Sequence, residues 1–207
     1  MYDLRLYSAA AVLFYEDGTL IEDRTDDYLL TAEGQEPPSP MAVNIVTSGA
    51  ALQREVVPAR TLLARGLREG RPALRLVGQH VALDAPRALP ALDVDVEVLG
   101  RALRNLLENA AKYAPAGSTV AVRAFTDGNT LSVEVADTGP GIAEDERHAI
   151  FQPFVRASSA GPGIQGSGLG LALVSAAAKA HGGSVEVRDR QGGGAVFTLQ
   201  LPIAKEN

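Results

Sequence analysis

Apolar residues recur along the chain at two periods, and the change from one to the other marks out its elements. From Val57 to Leu67, Leu62, Leu63 and Leu67 return at helical spacing, which predicts an amphipathic helix. Strand-like alternation follows from Leu74 to Leu83. Between about Asp95 and Tyr113, Val98, Leu99, Ala102, Leu103, Leu106, Leu107 and Ala110 form one broad apolar face of a longer helix, which Pro115 and Gly117 stop. Two strands are predicted at Thr119 to Phe125 and Thr130 to Ala136, with Asp127-Gly128-Asn129 between them as a hairpin signal. A glycine-rich stretch from Gly161 to Gly170 leads into an apolar helix that ends at His181-Gly182-Gly183. The last strands, Ser184 to Arg190 and Ala195 to Leu201, are joined by Gln191-Gly192-Gly193-Gly194.

Strands and helices succeed one another without a regular βαβ alternation. The expected class is therefore α+β: a two-layer α/β sandwich, with a mixed sheet, helices packed on one face and the other face partly solvated. Residues 1–40 differ from the rest. Ala11 to Tyr15, Asp17-Gly18 and Thr19 to Ile21 read as a hairpin, followed by an acidic patch around Asp23 to Asp27. The prolines in Glu36-Pro37-Pro38-Ser39-Pro40 disfavour helix and mark a boundary. The expected organisation is a hairpin-like segment over 1–40, a linker over 41–56 and the main domain over 57–207.

Composition narrows the function. With 46% hydrophobic and 21% charged residues in 207, the chain has the material for a real core. It has no apolar run approaching the roughly 18 residues that cross a bilayer and no secretory leader pattern, so no membrane contact by this chain is expected. The absence of cysteine removes disulfides, thiol nucleophiles and Cys-based zinc sites, and three scattered histidines (His80, His148, His181) offer no histidine-rich metal site. A net charge of -6 argues against a nucleic-acid partner.

Four segments carry candidate chemistry. In Asn105-Leu106-Leu107-Glu108-Asn109-Ala110-Ala111-Lys112-Tyr113, the positions Asn105, Asn109 and Lys112 share one helical face. Two amides and an ammonium there suit phosphates and a magnesium ion, since an amide oxygen is a hard ligand and lysine a point charge for phosphate. A solvated face of an amphipathic helix is the plain alternative for this segment alone. Asp137-Thr138-Gly139-Pro140-Gly141-Ile142 follows a strand; its glycines permit a sharp turn, and Asp137 can accept from an exocyclic amine such as that of adenine. An ordinary Gly-Pro-Gly turn remains open. Phe151-Gln152-Pro153-Phe154 precedes a stretch rich in small residues, read as a flexible loop anchored by the two rings. Finally, Gly166-Ser167-Gly168-Leu169-Gly170-Leu171 opens a helix whose first N–H groups attract phosphate oxygens. It is neither a P-loop nor a Rossmann fingerprint.

In order and spacing, the four together resemble the N, G1, F and G2 boxes of the GHKL ATPase and kinase superfamily, and most closely its sensor histidine kinase branch. The resemblance covers roughly Val94 to Pro202, and Ser48 to Val57 is similar to the end of a dimerisation region. It implies a Bergerat fold that binds ATP with Mg2+: Asn109 as magnesium ligand, Asn105 facing the phosphates, Lys112 reaching a phosphate and Tyr113 packing on adenine. Asp137 would hold the adenine amino group, with Gly139, Gly141 and Ile142 shaping the base pocket. Phe154 and Arg156 would stand at the start of a lid, and Gly166, Ser167, Gly168, Leu169, Gly170 and Leu171 would line the triphosphate. Asn105 stands where hydrolysing branches place a glutamate base, and an amide takes no proton at neutral pH; Glu108 remains a candidate polarising group. The implied chemistry is transfer of the γ-phosphoryl group to an imidazole, with a dimerisation and phosphoacceptor domain and a response regulator as partners. The implied location is the cytoplasm, alone or as the cytoplasmic part of a membrane-anchored sensor.

The chain departs from that pattern in places. No histidine is followed by the acidic residue of a phosphoacceptor motif, so self-phosphorylation in the usual way is not expected. Ala195 occupies a position where a hydroxyl residue is common, at an expected cost of about 1 kcal/mol in nucleotide binding. Residues 1–40 match no dimerisation helix and offer self-association through the hairpin instead. Two other readings stay open: an anti-sigma-type serine kinase, and a nucleotide-sensing or protein-interaction module without phosphotransfer.

Overall fold

The computed structural model describes residues 52–159 and 167–204, with the strand backbones of residues 4–7, 11–14, 20–24 and 29–32. Contacts divide the chain into two units, residues 1–51 with 165–167 and residues 52–164 with 168–207. In the smaller unit, β1 (Leu4–Tyr7) pairs antiparallel with β4 (Leu29–Ala32), and β2 (Ala11–Phe14) with β3 (Leu20–Arg24). The β2–β3 pair falls on the stretch read as a hairpin. Its Asp17-Gly18 turn, the proline segment at 36–40 and residues 41–51 lie outside the described residues.

The larger unit runs β5 (Glu55–Pro58), α1 (Ala59–Leu76), β6 (His80–Asp84), β7 (Ala91–Val94), α2 (Val96–Tyr113), β8 (Thr119–Asp127) and β9 (Thr130–Ala136). After two short 3-10 turns at Glu144–Glu146 and Ala149–Phe151 come α3 (Gly170–Ala180), β10 (Ser184–Asp189) and β11 (Ala195–Pro202). Five strands form a mixed sheet in the order β10-β11-β9-β8-β6, antiparallel except for β6 alongside β8. β5 and β7 pair separately. The register aligns Val187, Phe197, Val135, Val122 and Leu83 in one row across the sheet, and Val185, Leu199, Val133 and Ala124 in the next. These rows, apart from Leu83 at the sheet edge, and the apolar faces of the helices make one core. The opposite face is charged: Arg188 pairs with Glu134 at 2.8 Å, and Arg123 lies 3.5 Å from Asp84 and over the Phe125 ring. One packed face and one charged face is what the period of two in these strands dictates.

Helices α1 and α2 are locked by volume. A Cβ on Gly66 would stand 2.5 Å from the Leu103 Cβ, and one on Gly70 2.5 Å from Leu107 Cδ1, so leucines of α2 sit directly against the α1 backbone. Both ends of α2 are held by buried polar groups. At its start the Asp95 carboxylate accepts from the Glu97 and Val98 N–H groups at 3.0 and 3.1 Å, closing the first turn. Beyond its end, the Gln79 amide, 3% exposed, donates toward the carbonyls of Ala110, Ala114 and Pro115 at 3.1–3.3 Å.

One expected element differs. The strand read from Leu74 to Leu83 is instead the last turn of α1 followed by β6, which begins only at His80. Leu74 is buried on the same helical stripe as Leu63 and Leu67, and Pro72 is accommodated within the helix. The β5–β7 pair had no counterpart in the sequence reading. Among the described residues no helix is long and apolar enough to cross a membrane.

Candidate functional site

The polar face of α2 sets the frame. Asn105, Glu108, Asn109 and Tyr113 are half-buried and Lys112 is exposed. The Asn105 side-chain amide donates to the Gly170 carbonyl at 3.4 Å, tying α2 to the first residue of α3. Glu108 is paired with Arg104, one turn back, at 3.5 Å.

Leaving β9, the chain turns at Asp137, which is 5% exposed. Its N–H donates to the Ala195 carbonyl at 3.0 Å, and its Oδ1 accepts from the N–H of Gly139 at 2.7 Å and of Ala195 at 3.5 Å. Burial pushes the carboxyl up from its ordinary value, against the pull of those N–H groups and of Arg190. Two close approaches need glycine here. A Cβ on Gly139 would lie 2.9 Å from the Tyr113 carbonyl oxygen, and Gly194, at φ +103°, would drive one into the Asp137 carbonyl. The carboxylate turn is thus packed onto the C-terminal end of α2. Gly141 takes φ +77°, and Ile142 packs at the margin of the core.

The two phenylalanines of the next segment divide the work. Phe151 meets Phe197 edge-on at 6.5 Å, while the Phe154 side chain is exposed. What matters at Phe154 is its backbone: it takes φ 65°, and its N–H donates to the Gly168 carbonyl at 3.1 Å. Gly168, at φ +73°, would bring a Cβ to 2.7 Å of the Phe154 carbonyl carbon, so this clasp also requires glycine. Ser159 Oγ donates to the Gly141 carbonyl at 2.9 Å, and Ser158 donates to Glu146 through both N–H and Oγ. Arg156 is exposed. Gly166 lies outside the described residues, and Ser167 is half-buried.

α3 begins without a side-chain cap: Leu169 is buried and its side chain accepts no N–H of the first turn, although its carbonyl accepts from the Leu173 N–H at 2.9 Å, and Leu171 is half-buried. A Cβ on Gly170 would meet nothing within 4 Å among the described residues, so the side of the helix start at Gly170 has room for a ligand. From Asn105, beside Gly170, to Tyr113, beside Gly139, the α2 face spans about 12 Å at 1.5 Å per residue. Asn109 lies midway.

Behind the site a second polar cluster went unnoticed in the sequence. His181, 2% exposed, accepts the Asp95 N–H at Nε2 (3.0 Å) and faces the Ala177 carbonyl through Nδ1 (2.7 Å), which fixes a neutral ring protonated at Nδ1. Burial lowers its pKa below the ordinary 6.5, with Arg54 in the same sense and the Ala177 carbonyl, Asp95 and Asp93 opposing. Asp95 Oδ2 also accepts the Gln53 N–H at 2.9 Å, and Arg54 donates to the Ala180 carbonyl at 2.6 Å. The entering strand, the start of α2 and the end of α3 therefore meet in one cluster. An aspartate directly before an apolar helix was its one legible signal.

Comparison with known proteins agrees with this geometry. Residues 94–205 match the family described as histidine kinase-, DNA gyrase B-, and HSP90-like ATPase. The histidine protein kinase DivJ of Caulobacter vibrioides is 31% identical over 201 residues, which cover 95% of this chain and 31% of DivJ. Among solved structures, the mycobacterial sensor histidine kinase MprB superposes with a TM-score of 0.63 at 32% identity, covering 74% of this chain and 99% of that one. Full-length ShkA in complex with AMPPNP gives 0.64 at 34% identity, over 77% of this chain and 33% of ShkA. The chain spans about a third of the length of DivJ. With its mixed five-stranded sheet, its amide-bearing helix and its carboxylate turn, this chain belongs to the histidine kinase-, DNA gyrase B- and HSP90-like ATPases, and it carries the ATP-binding domain of the sensor histidine kinases.

Proposed function

We propose that the larger unit binds ATP along the polar face of α2 and transfers its γ-phosphoryl group to a histidine on a separate dimerisation domain. A response regulator would be the next acceptor, and the cytoplasm the compartment. The observation that carries this reading is the bracketing of one helix face. A buried carboxylate turn is packed against its Tyr113 end, and an uncapped, glycine-led helix start is tied to its Asn105 end.

In this reading Asp137 accepts from the adenine amino group, a purine fits over Gly139, Gly141 and Ile142, and Tyr113 flanks it. The N–H groups of Gly170 and Leu171 at the start of α3 take phosphate oxygens, with the exposed Lys112 as a further cation for the triphosphate. A magnesium ion, held by the Asn109 amide oxygen and by phosphate oxygens, would neutralise charge on the triphosphate. Among the described residues no group of three or more His, Asp or Glu side chains is placed to hold a metal alone, and this donor set, one amide completed by substrate, is one that magnesium accepts. An imidazole nitrogen attacks the γ-phosphorus in line, the bond to the bridging oxygen breaks, and ADP leaves. Asn105 offers no base for water, which favours transfer over hydrolysis. ShkA, at 34% identity, is a relative whose structure holds AMPPNP, an ATP analogue.

Calorimetry with AMPPNP, with and without magnesium, tests the binding step; absence of heat with any nucleotide defeats the reading. Radiolabelled ATP with a separately produced dimerisation domain tests transfer. Acid-labile label on that domain's histidine is expected, and binding without label leaves a nucleotide-sensing module.

A further inference from the structure

β6 closes one end of the sheet, and its outer edge is unpaired among the described residues. The His80 N–H donates inward to the Ser118 carbonyl at 3.0 Å. Alternate residues of a strand direct their backbone groups to opposite sides, so Val81 and Leu83 present N–H and C=O outward. Such an edge is a template for another strand. The Leu83 side chain lies on the helix side of the sheet and is 44% exposed.

Beside that edge runs a groove of about 420 Å³ between β6 and α1. Leu63, Leu67, Pro72 and Leu83 give it an apolar lining, and Arg68, Arg71 and Arg75 stand along it. These arginines are spaced three and four residues apart and so share one stripe of the helix. α1 holds five arginines and one glutamate in a chain whose net charge is -6. Arg68 has only a 3.7 Å contact with Glu69, and Arg71 and Arg75 have no ion pair among the described residues. None of these residues belongs to the nucleotide face of α2.

We infer that the free edge of β6 and the arginine stripe of α1 form a docking site for an extended acidic segment of a partner protein, which adds as a sixth strand. Its backbone would pair with Val81 and Leu83, its apolar side chains would enter the groove, and its carboxylates would meet Arg68, Arg71 and Arg75. The unpaired backbone decides against a lipid surface, because headgroups satisfy guanidinium groups but not a ladder of amides and carbonyls. Charge complementarity decides the sign of the partner.

The test uses the full chain and a short fluorescein-labelled peptide in which threonines alternate with valine and glutamate in turn (Val-Thr-Glu-Thr repeated), so that valines and glutamates share the face toward α1, followed by fluorescence anisotropy. Binding is expected, with amide shifts at Val81 and Leu83 in NMR spectra of the labelled protein. The double variant Arg71→Glu, Arg75→Glu, checked for an unchanged melting temperature and unchanged AMPPNP binding, should bind the peptide at least about tenfold more weakly. The same peptide N-methylated at alternate backbone amides keeps its charge and should lose a similar factor; this arm needs no protein variant. Equal binding by the methylated peptide overturns the proposal, as does absence of peptide binding or binding of phosphatidylglycerol vesicles in its place.

Discussion

The two long sides of α2 hold different kinds of information. Toward α1, Leu103 and Leu107 press onto Gly66 and Gly70, and what matters is volume: a single added methyl group has nowhere to go. On the polar side Asn105, Asn109 and Lys112 are half-buried or exposed, and what matters is which functional group is offered. Exchanges on the first side therefore act on folding, and exchanges on the second act on ligands. Asp137 belongs to neither scheme cleanly, since burial opposes its charge while the proposed purine contact uses that charge.

Asn109→Ala should have the largest effect. It removes the proposed magnesium donor without touching the core, and affinity for magnesium-bound AMPPNP should fall by about 10–100-fold at unchanged melting temperature. Unchanged affinity in calorimetry would remove Asn109 from the site. Asp137→Asn should weaken nucleotide binding by about tenfold, the worth of one hydrogen bond to a charged acceptor. The same change should raise stability at neutral pH. The folded carboxyl has its pKa raised above the unfolded value, so stability is lost as pH rises from the unfolded value and the loss is complete above the raised one, and an amide carries no such cost. A variant that is both less stable and weaker in binding would contradict the opposition of signs.

Gly66→Val tests the other side. It should destabilise by about 1–3 kcal/mol in urea denaturation while the folded fraction binds AMPPNP as before. A loss of affinity without a loss of stability would show that the two sides are not separable. The smallest effect belongs to His181. Its folded pKa is depressed, so the unfolded chain binds the extra proton first and stability falls as pH drops from about 6.5 toward the lower folded value. His181→Gln should flatten that decline, and an unaltered pH profile would remove His181 as its cause.

Much of this arrangement was legible because it is written locally. α2 was found almost residue for residue, since its apolar face is continuous and Pro115 and Gly117 follow it. The glycines at 139 and 141 announced a sharp turn, and Gly141 takes positive φ. The second half of α1 was hidden because Pro72 breaks the helical reading and Leu74 to Leu76 imitates alternation. The β5–β7 pair was hidden by the shortness of both strands and by the mostly exposed positions of β5. Gln79 and His181 left no trace for a different reason. A lone polar residue in a turn has meaning only through partners far along the chain, such as the Pro115 carbonyl for Gln79 and the Asp95 N–H for His181. The edge groove was likewise invisible, because it exists only once strand order puts β6 last.

The hydrogen bond between Phe154 and Gly168 brings both ends of an intervening stretch to one point of the scaffold. Joining two tied ends is insensitive to the number of residues between them: doubling that number adds only about 0.6 kcal/mol of closure entropy. The positions between Ser159, itself bonded to the Gly141 carbonyl, and Gly168 are therefore a natural place for related chains to differ in length, and for an engineer to graft a reporter or recognition peptide while the helices and sheet keep their geometry.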